Sequence, residues 1–165
     1  MRFSQKLYID GKQHTLHMAD IIYHVFLEKD EGDTWYTAIA EPICKKGSAC
    51  IAAQGDTYEE LRRDILASVR ETIRLSEDHE AIGIPKNPSV AVFFTEELYP
   101  GSEGEAQIIA ERNCAAYQTR PNGVLDRRYS HETVEGLRAL VKEAVQKANP
   151  NGKKVTLVLE EVLQQ

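Results

Sequence analysis

An α+β fold, a mostly antiparallel sheet with two amphipathic helices, is predicted by three features of this 165-residue sequence. Apolar and polar residues alternate in several short stretches of the first half. The period then lengthens to 3.6 at Tyr58, Leu61, Ile65, Val69 and Ile73. It does so again at Val134, Leu137, Val141, Ala144, Val145 and Ala148.

The elements follow in order. Residues 6–18 read as a hairpin turning at Asp10-Gly11. Residues 21–27 alternate, with Tyr23, Val25 and Leu27 on one face. Residues 29–33 are a charged turn. The returning strand, residues 34–40, sets Trp35, Thr37 and Ile39 on one face and Tyr36, Ala38 and Ala40 on the other. A loop spans 41–48 and a third strand 49–54. Asp56 and Glu59 are suited to a capping box at the first helix. Burying four large side chains of its stripe would contribute on the order of 6–12 kcal/mol before entropy is subtracted, so this helix should lie on the sheet. Asn87-Pro88 leads to a strand at 90–94. That strand is expected to be an edge through which copies pair, making a homodimer or larger assembly.

The segment Tyr99-Pro100-Gly101-Ser102-Glu103-Gly104-Glu105 is the expected boundary between a binding domain, residues 1–98, and a smaller β-α-β segment, residues 105–165. Beyond it, residues 107–111 and 115–118 read as short strands and Arg120-Pro121-Asn122-Gly123 as a turn. The second helix stops at Asn149-Pro150-Asn151-Gly152, and residues 154–162 form a last strand with Val155, Leu157 and Leu159 on one face. Thr57-Tyr58-Glu59-Glu60-Leu61-Arg62 echoes Thr133-Val134-Glu135-Gly136-Leu137-Arg138. Two amphipathic helices that begin alike account for this, and a duplicated β-α unit is the alternative.

Composition narrows the function. Hydrophobic residues make up 42% and charged residues 28%, enough for a packed core. The net charge of −6 disfavours nonspecific phosphate-backbone binding and suits a basic partner. No apolar run is long enough to span a membrane, and the N-terminus has no signal-peptide character, so a cytoplasmic location is expected. Cys44, Cys50 and Cys114 are an odd number and do not suggest a disulfide framework. Cys44 and Cys50 are spaced too widely for a common zinc pair, and His14 and His17 would face opposite sides of a strand. His24 lacks a nucleophile near it in sequence, and His79 and His131 flank helix ends. No metal or cofactor is expected.

Four pieces in order resemble the HicB antitoxin family across residues 22–88. They are a strand with an acidic turn (Tyr23-His24-Val25-Phe26-Leu27-Glu28-Lys29-Asp30-Glu31-Gly32), an aromatic strand (Trp35-Tyr36), a helix start (Gly55-Asp56-Thr57-Tyr58-Glu59-Glu60) and an Ile84-Pro85-Lys86-Asn87-Pro88 segment. The resemblance implies a partial ribonuclease H fold without catalytic activity. It also implies a small basic ribonuclease partner, a HicA-like toxin, whose catalytic histidine is blocked. The loop Glu41-Pro42-Ile43-Cys44-Lys45-Lys46-Gly47-Ser48-Ala49-Cys50 departs from the family by being longer and basic. The DNA-binding tail of many members has no recognisable counterpart, so operator binding is not expected.

Asp30, Glu31, Asp33, Trp35 and Tyr36 are therefore the expected partner-binding residues. Catalysis is not expected, because metal-dependent nuclease chemistry needs converging carboxylates and residues 21–27 contain no acid. The rival reading is a small-ligand protein that holds a nucleotide or other anion with Arg112, Arg120, Arg127 and Arg128, near a helix start at Ser130. Against it, these arginines could pair with Glu96, Glu97, Glu103 or Glu105.

Overall fold

A computed structural model describes residues 6–9, 12–15, 19–40, 52–75, 87–121, 123–148 and 152–163, the first two stretches as backbone. The expectations for Asp10-Gly11, the 41–50 loop with Cys44, Cys50 and Lys45-Lys46, the His14 side chain, His17, His79, Ile84 to Lys86, Asn122 and Asn149-Pro150-Asn151 lie outside the described residues. β1 (Lys6–Ile9) and β2 (Lys12–Thr15) pair antiparallel, with Ile9 opposite Lys12.

The remaining described elements are β3 (Ile21–Asp30), β4 (Asp33–Ala40), β5 (Ala52–Gly55), α1 (Tyr58–Leu75), β6 (Val90–Tyr99), β7 (Glu105–Asn113), β8 (Ala116–Thr119), β9 (Ser130–His131), α2 (Val134–Ala148) and β10 (Lys154–Leu163). The eight strands β3 to β10 have the hydrogen-bonded order β5-β4-β3-β6-β10-β7-β8-β9. β3–β4, β4–β5, β7–β8 and β8–β9 are antiparallel, whereas β10 runs parallel to β7. The fold class is thus α+β with a mixed sheet. β6 has a strand on each side, so it is not the edge expected of residues 90–94. It also runs five residues further, through Thr95-Glu96-Glu97, because Glu96 is held by Arg138 in a forked ion pair that offsets the cost of a charge in a strand.

By compactness the chain divides into Met1–Phe93 with Val162–Gln165, and Phe94–Glu161. In the first unit, period-two alternation decides the faces. Tyr23, Val25, Tyr36, Ala38, Ala40 and Ala53 are buried, and α1 lies against β4 and β5 with Tyr58, Leu61, Ile65 and Val69 fully enclosed. Tyr36 meets Tyr58 edge-on at 5.9 Å between ring centroids. The starts of β3 and β6 are tied together. The Asp20 and Ile21 N–H groups donate to the Ser89 carbonyl, and the Asp20 carboxylate accepts from Ser89 N–H and Oγ–H.

The α1 cap sits one residue beyond the expected Asp56/Glu59 box. Thr57 Oγ1 accepts the Glu60 N–H at 3.1 Å, and Glu60 Oε2 accepts the Asp56 and Thr57 N–H groups at 3.0 and 3.4 Å. Glu59 instead pairs with Arg62 on the exposed side of the helix.

In the second unit, Ile108, Ala110, Tyr117, Thr119, Leu157 and Leu159 are buried together with Val134, Leu137, Val141 and Val145 of α2. Val155, Leu157 and Leu159 share a buried face of β10, and Val158 on the other face is buried too, so β10 is covered on both. The segment expected as a domain boundary joins β6 to β7 within a hydrogen-bonded structure. Glu103 N–H donates to the Gly152 carbonyl and Lys154 N–H to the Gly104 carbonyl. Ser130 lies in β9, and the helix starts later, at Val134, capped by Thr133.

Candidate functional site: an acidic, aromatic sheet face

The face of β3, β4 and β5 opposite α1 is partly open, with Phe26, Glu28, Ile39, Ala52 and Gln54 exposed on it. Register places His24 beside Ile39, Phe26 beside Thr37, Glu28 beside Trp35 and Asp30 beside Asp33. Phe26 is 46% and Ile39 43% exposed, unusually open for large apolar side chains in mid-strand. At the far end, the two-residue turn Glu31-Gly32 has positive φ at both positions, 46° and 89°, as a tight hairpin requires. Asp30, Glu31 and Asp33 are all exposed on this turn, and no described cation pairs with them.

Trp35 is half-buried and lines a groove of about 430 Å³ with Gln54, Gly55, Asp56 and Glu60. Gly55 lets β5 pass close against the helix start beside this groove, because a Cβ there would fall 2.4 Å from Leu61 N. Glu60 is held in place by its two N–H donors, while the Asp64 carboxylate anchors β5 by accepting the Gln54 N–H at 2.9 Å. An indole edged by carboxylates is suited to a guanidinium or ammonium group, through cation–π attraction and charge-assisted hydrogen bonds.

Four of the five expected partner-binding residues, Asp30, Glu31, Asp33 and Trp35, thus occupy one hairpin and its open face. Tyr36 does not join them. It is 1% exposed and faces α1, so no partner surface can reach its side chain. Phe26, Ile39, Gln54, Asp56 and Glu60 were not anticipated. Phe26 and Ile39 were legible as the off-core partners of the alternation, whereas Asp56 and Glu60 were read only as helix-start residues.

The four arginines do not converge on a vacant anion site. Arg112 Nη1 lies 3.3 Å from the nearly buried Glu161 carboxylate, its Nε donates to the Cys114 carbonyl, and its guanidinium lies over the Tyr117 ring. Arg120 pairs with Glu111. Arg127 lies over the Tyr129 ring, and the Tyr129 hydrogen bond holds its pKa above the usual arginine value. Arg128 is exposed. Two of the four acids expected as their partners are otherwise occupied, Glu96 by Arg138 and Glu97 by Lys154. At the start of α2, where an anion was expected to sit, Thr133 Oγ1 accepts the Gly136 N–H and His131 Nδ1 accepts the Thr133 N–H.

Among the described residues no group of three or more His, Cys, Asp or Glu is placed to hold a metal, and no helix is long and apolar enough to cross a membrane. No protein-family model, curated protein or solved structure matches the chain.

Proposed function

We propose that the first unit is a HicB-like, non-catalytic binding domain that neutralises a small basic ribonuclease toxin in the cytoplasm. The observation that supports this most is the exposed acidic tip Asp30-Glu31-Asp33 continuing into a partly open face with Trp35, Phe26 and Ile39. Acids steer a basic surface into place, and exposed aromatic and apolar groups then hold it. The element order β3, acidic turn, β4, β5, α1 also follows the order of the family's sequence features.

The test is association kinetics with a HicA-type toxin, alongside rescue of growth on coexpression. Asp30→Lys with Glu31→Lys should lower the association rate and its salt dependence, and Trp35→Ala should raise the dissociation rate. Arg127→Ala with Arg128→Ala should change neither. If the charge reversal leaves association untouched, or if a nucleotide stabilises the protein and only the arginine variants abolish that effect, the antitoxin reading fails.

A further inference from the structure

We propose that residues 21–99 and 105–163 are copies of one β-β-β-α-β repeat, and that the second copy has replaced the groove of the first with a histidine that caps its own helix. Across residues 21–99 three antiparallel strands lead to a helix and then a strand beside the first, in the order β5-β4-β3-β6; across residues 105–163 the same path gives β9-β8-β7-β10.

The match goes below topology. Among the described residues, Glu31 and Cys114 are the two non-glycine residues with positive φ, and Glu31 opens the two-residue turn between β3 and β4 as Cys114 opens that between β7 and β8. Tyr36 stands opposite Gly55, and Tyr117 opposite His131. Two residues after each of these comes the threonine cap. Glu60 N–H donates to Thr57 Oγ1 and Gly136 N–H to Thr133 Oγ1, both over a spacing of three. The buried helix positions Tyr58, Leu61, Ile65 and Val69 then correspond one for one to Val134, Leu137, Val141 and Val145. From its buried tyrosine to its turn, the first hairpin has two residue pairs more than the second, at Lys29–Thr34 and Asp30–Asp33. An even difference is required, since an odd one would turn every side chain to the wrong face. The short echo between Thr57–Arg62 and Thr133–Arg138 is therefore more than two helices beginning alike.

At the helix start the copies have exchanged side chains. The first has Gly55 and Glu60; the second has His131 and Gly136. A Cβ at Gly136 would fall 2.1 Å from the His131 ring, which occupies the space a glutamate would need. His131 Nδ1 accepts the Thr133 N–H, as Glu60 Oε2 accepts that of Thr57. The position matching Trp35 is Ala116, and the acidic pair Asp30–Asp33 of the longer hairpin has no counterpart. If the proposed binding face is correct, the described residues therefore carry one such face and not two.

Thermal melting of the full chain tests the repeat without any partner, so its failure would leave the binding reading untouched. Gly136→Glu and His131→Gly should each lower the melting temperature. The double variant should recover above both, and should melt about 2–4 °C above His131→Gly with Gly136→Ala at neutral pH, although alanine is the better helix former. That gap should close once the pH falls below the carboxylate range, where the new cap is protonated. A double variant that melts no higher than the alanine control, or a gap that persists in acid, would overturn the equivalence of Gly136 and Glu60.

Discussion

Thr57 and Glu60 cap α1 reciprocally: the threonine hydroxyl accepts the glutamate's N–H at 3.1 Å, and the glutamate carboxylate accepts the threonine's at 3.4 Å. Thr57→Ala should therefore lower stability by about 0.5–2 kcal/mol. Asp56→Ala should stay within about 0.5 kcal/mol of wild type, because the Asp56 contact that reaches the cap is its backbone N–H and Ala retains it. Urea denaturation of both variants checks this, and a larger loss at Asp56 than at Thr57 would show the assignment to be wrong.

Tyr23 is fully enclosed, and its hydroxyl has no hydrogen-bond partner among the described residues. Burial, reinforced by the charge of Asp64, raises its pKa far above the usual phenol value. An unfolded tyrosine ionises near pH ~10 while this one stays protonated, so stability is complete below about pH 10 and falls as the pH rises beyond it. Tyr23→Phe should melt at or above the wild-type temperature at pH 7 and show a shallower alkaline decline. Equal alkaline slopes in the two proteins would refute this.

Arg112 and Arg128 should behave differently. Arg112→Ala takes a guanidinium from the nearly buried Glu161 carboxylate and uncovers the Tyr117 ring, a loss on the order of 1–3 kcal/mol. Arg128→Ala removes an exposed side chain and should change stability by less than about 0.5 kcal/mol. Calorimetry of the two variants would detect the contrast, and equal effects would mean that Arg112 is not structural.

Phe26→Ser should leave melting close to wild type, because nearly half of the side chain already faces solvent. Val25→Ala, one residue away, should lose about 1–3 kcal/mol from the enclosed face. The pair tests which side of β3 is the core.

Much of this fold was legible because periodicity reports burial. The stripe of α1 was visible from Tyr58 to Val69, and the alternation of β4 separated its two faces. Which of those faces is the core was not visible, since Trp35-Thr37-Ile39 and Tyr36-Ala38-Ala40 are comparably apolar until α1 covers one of them. β9 has two residues and no alternation to show. The partner of Arg112 lies 49 residues away on β10, a distance no local pattern spans. The proposed repeat shows in the sequence only as the short echo at the two helix starts, for a related reason. Its copies share burial and register, while the residues filling those positions have diverged outside the helix start.

Trp35 is the only tryptophan in the chain, and it sits in the groove beside Asp56 and Glu60. Indole emission from the native protein therefore originates at one known place. A red shift during denaturation would report opening of the first unit, while the second unit, with tyrosine as its only aromatic chromophore apart from phenylalanine, would be spectrally silent in that channel. Comparing the emission midpoint with the far-ultraviolet ellipticity midpoint would then show, in an unlabelled sample, whether the two units unfold in one transition or in two.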